Sequence, residues 1–395
     1  MNLRNSSVET TALHRSYEEP IIQFVDKIIG DAFQQHVSDI HIEPYEKICR
    51  IRYRQDGILF STHEIPLLLA TRIATRLKVM ANLNIAEKRL PQDGRFQIDN
   101  IDIRINTCPT LFGEKIVLRL LNSSHINLDI DQLGLTDNQK NLFIKTLLRP
   151  QGMILVTGPT GSGKTVTLYS ALAYLNHSEK NISTVEDPIE IRLTGINQVN
   201  VNPKIGLHFS TVLRAFLRQD PDILMVGEIR DLETAEIAVQ ASQTGHLVLS
   251  TLHTNSAVET ITRLRAIGIP SYNIAESVSL IIAQRLIRKL CDVCKIPEKV
   301  THYSNINFPK QFFPNDVYRA KGCDQCNQGY KNRIALYECL PINEKISQFI
   351  LTGKDTRAFL SCAKQEGFIT LKEIAISHVL QGVTSFSEIS GLLSS

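Results

Sequence analysis

The chain carries the stretch Gly158-Pro159-Thr160-Gly161-Ser162-Gly163-Lys164-Thr165 directly after the apolar run Met153-Ile154-Leu155-Val156. Residues 166–172 continue it with the apolar spacing of a helix. A strand, a glycine-rich turn and a helix in this order are the context that the P-loop signature requires. The glycines let successive backbone N–H groups point at a phosphate chain, at the positive end of the new helix. The stretch therefore predicts an α/β fold that binds a nucleoside triphosphate.

Two side chains of this turn have predicted roles. Lys164 is expected to reach the β- and γ-phosphates, and the Thr165 hydroxyl is expected to bind Mg²⁺. The alternative is a chance glycine turn between a strand and a helix. Every position of the signature is filled and both flanks are correct, which favours the nucleotide site.

Composition and charge narrow the class of protein. A chain of 395 residues predicts two or three domains, and a net charge of +3 provides no large field for nucleic acid. No apolar run is long enough for a membrane span, and residues 1–19 are polar and unlike a signal peptide. We therefore expect a cytoplasmic protein, held at a membrane only through partners.

The first part of the chain predicts a smaller mixed α/β domain. Residues 1–19 lack apolar periodicity and are expected to be a flexible leader, and a helix is predicted to begin at Pro20. Strands and a second helix complete a domain over residues 20–121, followed by a linker over 122–131. Arg50, Arg52 and Arg54 alternate along one strand and are expected to form a solvated face.

Apolar strands alternate with helical segments from residue 132 to residue 290, which predicts a mostly parallel sheet covered on both faces. The strand at 223–226 ends at Gly227-Glu228 and is expected to lie beside the P-loop strand. Glu228 is the candidate for polarising the attacking water, and a helix-capping acid is the alternative. Glu186 ends another strand, where the ligands of such sheets gather.

Two histidines, His246 and His253, bracket a third strand and are expected to lie beside the same site. His253 is the candidate for sensing the γ-phosphate, and a packed or surface histidine is the alternative.

The cysteines form two CxxC pairs, Cys291/Cys294 and Cys323/Cys326. Two such pairs complete a tetrahedral thiolate site, and no acid or open position suggests catalysis. Structural zinc is therefore the prediction, with a redox pair or an iron–sulfur cluster as alternatives. The zinc module is expected over residues 291–338 and a helical region over 339–395.

Together these motifs resemble the secretion ATPase family that powers type II secretion and type IV pilus assembly. The resemblance runs from about Pro20 to the C-terminus and rests on residues 38–44, 90–95, 113–119, 185–190, 213–222, 227–231, 244–255 and 283–291. It implies a RecA-like motor that binds ATP and Mg²⁺, preceded by a PAS-like domain. The paired cysteines are typical of assembly rather than retraction members.

The resemblance also implies a hexameric ring, with ATP bound between protomers and an inner-membrane platform protein as partner. Four arginines are candidates for neutralising the γ-phosphate across the boundary between protomers: Arg95, Arg104, Arg214 and Arg218.

This sequence departs from the family's pattern in two places. Only nineteen residues precede Pro20, where long assembly members have a docking domain, and Asn332 replaces a glycine before Arg333.

Two other functions are alternatives to a secretion or pilus ATPase. A nucleic-acid translocase uses a similar motor, but the near-neutral charge and the absence of a basic, aromatic-interleaved stretch disfavour it. A non-hydrolysing scaffold would use ATP only to order a ring, and Lys164, Thr165 and Glu228 argue against that.

Overall fold

The computed structural model describes residues 6–99, 101–121, 127–299, 316–352 and 356–394. The chain divides into two compact units, Met1–Ile126 and Asn127–Ser395. None of the helices in these ranges is long and apolar enough to cross a membrane.

The N-terminal unit is an antiparallel sheet with two helices. Its elements are α1 (Ser6–Gln34), β1 (Asp39–Pro44), β2 (Ile48–Gln55), β3 (Ile58–Pro66), α2 (Leu67–Met80), β4 (Gln92–Ile98), β5 (Ile101–Thr110) and β6 (Gly113–Leu121). The strand order is β3-β2-β1-β6-β5-β4. Alternate apolar residues such as Ile103 and Ile105 of β5 are buried with Ile28 of α1 and Leu77 of α2, so one face of the sheet forms the core.

The first helix differs from the prediction. It begins at Ser6 and contains Pro20, which was expected to start it. Residues such as Leu13, Glu18 and Glu19 favour a helix by propensity although they form no apolar stripe, so periodicity alone did not reveal this part. The first half of the predicted linker, residues 122–126, lies outside the described residues.

The C-terminal unit contains the P-loop. Its first elements are α3 (Asp137–Leu147), β7 (Gly152–Thr157), α4 (Lys164–Leu175), β8 (Ile182–Glu186), β9 (Asn197–Asn200), α5 (Phe209–Phe216), β10 (Ile223–Val226), α6 (Leu232–Gln243), β11 (Leu247–Leu252), α7 (Ala257–Ile267), α8 (Ser271–Ser277) and β12 (Val278–Leu290). The remaining elements are β13 (Ile296–Lys299), β14 (Asp316–Arg319), β15 (Tyr330–Pro341), α9 (Glu344–Thr352), α10 (Thr356–Gln365), α11 (Leu371–Leu380) and α12 (Phe386–Ser394).

Seven strands of this unit form one sheet in the order β15-β12-β7-β11-β10-β8-β9. All its neighbours are parallel except β12 and β15. All six residues of β7 and of β11 are buried, as expected for strands covered by helices on both faces.

The order corrects one prediction, because β11 lies between the P-loop strand β7 and the strand β10 that leads to Glu228. Parallel strands are joined by crossovers, and a crossover lets a later strand insert between two earlier ones.

The sheet also changes the boundary expected for the cysteine module. Strand β15 pairs with β12 from Pro341 back to Tyr330, so most of the segment 330–338 belongs to the motor sheet. The cysteines lie on the excursion between these two strands, which carries the small β13–β14 ribbon. The C-terminal helices share one apolar core with the motor, as buried Ile346, Phe359 and Ile389 show.

Candidate functional site

The P-loop turns between β7 and α4, and its glycines adopt backbone conformations that other residues avoid. Gly158, Gly161 and Gly163 have φ values of 146°, 78° and 92°. A Cβ at Gly158 would lie 2.4 Å from the backbone oxygen of Gln284. A Cβ at Gly163 would lie 2.7 Å from Nε2 of the Gln284 side chain. Glycine is therefore required by the close approach of strand β12 as well as by the turn.

The lysine of the loop begins helix α4 and is largely buried. Its Nζ donates hydrogen bonds to the carbonyl oxygens of Gly158 at 2.8 Å and Pro159 at 3.0 Å. Burial lowers the pKa of Lys164 to about 8, although nearby Glu228 favours the charged form. A cation held only by neutral carbonyls is suited to exchange them for phosphate oxygens. Thr165 follows on the exposed side of the same first turn.

Glu228 lies just beyond β10 and meets charged and titratable groups there. Its Oε1 is 2.5 Å from a guanidinium nitrogen of Arg230, and its Oε2 is 3.5 Å from Nε2 of His253. Burial and the positive charge of Lys164 lower the pKa of His253, which favours the neutral imidazole. Lys164, Glu228 and His253 therefore form one cluster at the carboxyl ends of β7, β10 and β11.

His246 is not part of this cluster, which corrects the prediction that both histidines lie beside one site. It precedes β11 whereas His253 follows it, and a six-residue strand separates them by about 20 Å. Nδ1 of His246 contacts the carbonyl oxygen of Ala241 at 2.9 Å, a local contact with the end of α6.

Glu186 is buried and its carboxylate is already surrounded by hydrogen-bond donors. Tyr169 donates to Oε2, while Thr184 at 2.7 Å and Gln198 at 3.2 Å donate to Oε1. Burial raises the pKa of Glu186. The structure thus places this acid under helix α4, bonded to neighbouring side chains, rather than in the Glu228 cluster.

Strand β12 brings two further residues, Gln284 and Arg285, to the P-loop, and neither was a candidate from the sequence. The side chain of Gln284 accepts a hydrogen bond from Thr167 of α4 at 2.8 Å. Arg285 donates to Oδ1 of Asn255 at 2.7 Å, and its positive charge lowers the pKa of Lys164. Only the pairing of β12 with β7 brings them to the P-loop, so nothing in the local sequence pattern could have indicated it.

The two candidate arginines of the motor lie on and after α5. Arg214 forms an ion pair with Glu233 of α6 at 2.6 Å, and Arg218 donates to the carbonyl oxygen of Arg214 at 2.8 Å. Within one protomer these contacts keep them on the α5–α6 surface.

The candidate arginines of the N-terminal unit face each other across its sheet. Arg95 is opposite Arg104, and Arg104 is opposite Arg119. Asp102 pairs with Arg95, and Asp39 pairs with Arg119. Like charges on directly opposed residues repel, and these two acids offset part of that repulsion along the row of three arginines. Arg119 was not singled out from the sequence.

Arg50 and Arg52 of β2 also have an acidic partner, so this strand face is not simply solvated as the sequence predicted. Arg52 makes two hydrogen bonds to Glu43, at 2.8 and 2.9 Å, and Arg50 lies 3.5 Å from the same carboxylate. Burial opposes ionisation of Glu43, but Arg52 and Lys115 outweigh it and lower the pKa of Glu43 to about 2.

The four paired cysteines meet as expected, with all their Sγ atoms within 4.8 Å of one another. The Cys291–Cys323, Cys294–Cys326 and Cys323–Cys326 sulfur separations are 3.9, 3.7 and 3.6 Å. A tetrahedron with Zn–S bonds of about 2.3 Å has edges of about 3.8 Å, so the group fits such an ion. Asn332 nearby has a φ of 65°, a conformation that glycine and asparagine adopt more readily than other residues.

Comparisons with known proteins show which family the chain belongs to. A family model described as type II/IV secretion system protein matches residues 14–391. The chain is 52% identical over 389 residues to the type IV pilus assembly ATPase PilB of Acinetobacter baylyi. This alignment covers 95% of this chain and 67% of the relative. It is 45% identical over 378 residues to the type II secretion system ATPase E of Vibrio cholerae, covering 94% and 75%.

A solved structure extends the agreement to the fold. The pilus retraction motor PilT with bound ADP superposes with a TM-score of 0.63 at 28% identity, covering 92% of this chain and 94% of that one. With the P-loop, the Glu228 cluster and these matches together, the chain belongs to the type II/IV secretion system protein family and is one of its ATPases.

Proposed function

We propose that this ATPase works as a hexameric ring that drives assembly of a type IV pilus or a type II secretion pseudopilus at the cytoplasmic face of the inner membrane. The observation that carries the chemistry is the convergence of Lys164, Glu228 and His253 at the carboxyl ends of three neighbouring strands. The relatives named as assembly and secretion ATPases support the machinery, and a membrane platform protein is the expected partner.

Each residue of the cluster has a distinct task. Lys164 leaves the carbonyls of Gly158 and Pro159 to bind phosphate oxygens, and Thr165 holds Mg²⁺. Glu228 orients and polarises the attacking water, and His253 senses the γ-phosphate as a neutral imidazole. Arg285 adds a second positive charge beside Lys164.

Further positive charge comes from a neighbouring protomer. Arg95 and Arg104, which lie opposite each other in the N-terminal unit, are candidates for this charge, and Arg214 and Arg218 are further candidates. Charge supplied in trans would make hydrolysis depend on ring assembly.

Zinc is the ion proposed for Cys291, Cys294, Cys323 and Cys326. When bound, it supplies a closed structural crosslink and no catalytic chemistry. The cysteines lie between β12 and β15, so this crosslink stabilises the far end of the strand that contacts the P-loop.

The test is a paired measurement of ATP affinity and steady-state turnover on the wild type and Glu228→Gln, with Glu236→Gln of an exposed α6 acid as control. Glu228→Gln should retain affinity and lose about two orders of magnitude in turnover, because it removes the base but not the phosphate cradle. Affinity that falls together with turnover would make Glu228 chiefly a magnesium ligand. A wild type that does not hydrolyse Mg-ATP would contradict the proposed function.

A genetic experiment addresses the machinery. A deletion strain should lose surface pili or secretion of its type II substrates, and plasmid-borne wild type, but not Glu228→Gln, should restore the lost property. Whichever property is lost identifies the system.

A further inference from the structure

A buried hydroxyl connects the residue before the P-loop to the loop that carries His253. Thr157, the last residue of β7, is completely buried. Its Oγ1 lies 3.0 Å from the carbonyl oxygen of Leu252 and 3.2 Å from that of Thr254, and it accepts the backbone N–H of Thr254 at 3.0 Å. These contacts join positions that are 95 and 97 residues apart in the chain.

The connection continues through a second hydroxyl. Oγ1 of Thr254 is 2.6 Å from Oγ1 of Thr157 and 2.7 Å from Oγ1 of Thr260 in helix α7. Thr260 in turn donates to the carbonyl oxygen of Ser256 at 3.0 Å. The three hydroxyls thus run from the base of the P-loop to the first turn of α7 without a break.

His253 lies between the two residues that Thr157 contacts. Leu252 and Thr254 are both bonded to the Thr157 side chain, so the backbone on each side of His253 is held to the residue that precedes Gly158. The imidazole itself is exposed on the other side, 3.5 Å from Glu228. The hydroxyl therefore determines where the imidazole lies without touching it.

We propose that Thr157, with Thr254, is a positioning residue that holds His253 in register with the P-loop during ATP hydrolysis. The proposal rests on the proposed function of this site. It predicts that the Thr157 hydroxyl contributes to turnover and not to nucleotide affinity, because it faces the histidine loop whereas phosphate binding uses Lys164 and the backbone of the loop.

The decisive variant is Thr157→Val, which keeps the β-branched shape but places a methyl group where two carbonyls and an N–H converge. Full-length protein with Mg-ATP should keep its dissociation constant within about threefold and lose tenfold or more in kcat, since small misplacements of catalytic groups have effects of this size. Thr157→Ser restores the hydroxyl and should recover kcat to within about threefold of the wild type. Thr254→Val removes the second hydroxyl and should lower kcat in the same direction.

Thr146→Val is the matched control, because Thr146 is also buried and donates its hydroxyl to a backbone carbonyl, that of Leu142 at 2.7 Å within helix α3. The melting temperatures of all variants are measured as well. A loss of kcat without a matching loss of melting temperature indicates positioning rather than general destabilisation. Unchanged kcat in both Thr157→Val and Thr254→Val would overturn the proposal, as would equal losses in Thr157→Val and Thr146→Val. A parallel loss of affinity in Thr157→Val would assign Thr157 to the phosphate cradle instead. Absence of turnover in the wild type would refute the proposed function itself.

Discussion

Oε2 of Glu228 and Nε2 of His253 lie 3.5 Å apart, beyond the carboxyl ends of two neighbouring parallel strands. Val226, the last residue of β10, pairs with Ser250, and β11 continues to Leu252, so Glu228 and His253 both follow the carboxyl ends of their strands. Lys164 reaches the same edge from β7, on the other side of β11. The cluster therefore follows from strand order, and its chemistry can be tested residue by residue.

Replacing the P-loop lysine should abolish nucleotide binding. Lys164→Ala removes the mobile cation that the cluster offers to phosphate, so we expect no measurable ATP affinity or turnover under conditions that saturate the wild type. Lys145→Ala, at an exposed position of α3, is the control and should behave as wild type. Hydrolysis at the wild-type rate by Lys164→Ala would mean that the phosphate site lies elsewhere.

The acid of β8 should prove structural. Both oxygens of Glu186 accept hydrogen bonds, and glutamine can replace only part of that acceptor capacity. Glu186→Gln is expected to lower the free energy of unfolding by about 1–3 kcal/mol, the cost of an unpaired buried group. Its turnover per folded molecule should stay within about threefold of the wild type, unlike that of Glu228→Gln. A hundredfold loss of turnover at unchanged stability would identify Glu186 as the base.

Acid should destabilise the native protein partly through His253. Its pKa is lowered by burial and by Lys164, so just below the unfolded value of about 6.5 the unfolded chain binds more protons than the native one. The stability contribution is present above that pH and is lost as the pH falls through the native pKa. Urea unfolding of the wild type and His253→Gln at pH 7.5 and 5.5 should show a smaller acid-induced loss in the variant. Exposed His177→Gln is the control, and parallel pH dependence of all three proteins would contradict the assignment.

Metal removal should loosen the cysteine excursion but leave the P-loop fold. Freshly purified protein is expected to contain about one zinc per chain. Cys294→Ser should lower this zinc content and speed up backbone hydrogen exchange around the four cysteines. Cys108→Ser, an exposed cysteine of the N-terminal unit, should keep the metal. Iron with visible absorbance would replace zinc by a cluster, and protein with neither metal would refute the prediction.

The sequence alone determined the features that depend on contiguous residues. The P-loop needs glycines at 158, 161 and 163 for its backbone conformation and Lys164 at the start of a helix, and all of these are local requirements. The nearly continuous apolar runs predicted a covered parallel sheet for the same reason, and all residues of β7 and β11 are buried. The spacing of the cysteines similarly predicted that they would meet.

Only the tertiary structure decided which distant residues share a site. Strand β11 inserts between β7 and β10, so His253 reaches Glu228 while His246 is left at the opposite edge. The packing of β12 beside β7 brings Gln284 to the P-loop, and the Thr157 hydroxyl meets the histidine loop across 97 residues of chain. These contacts depend on the order in which strands pair, and that order is chosen by burial over the whole core rather than by any local pattern.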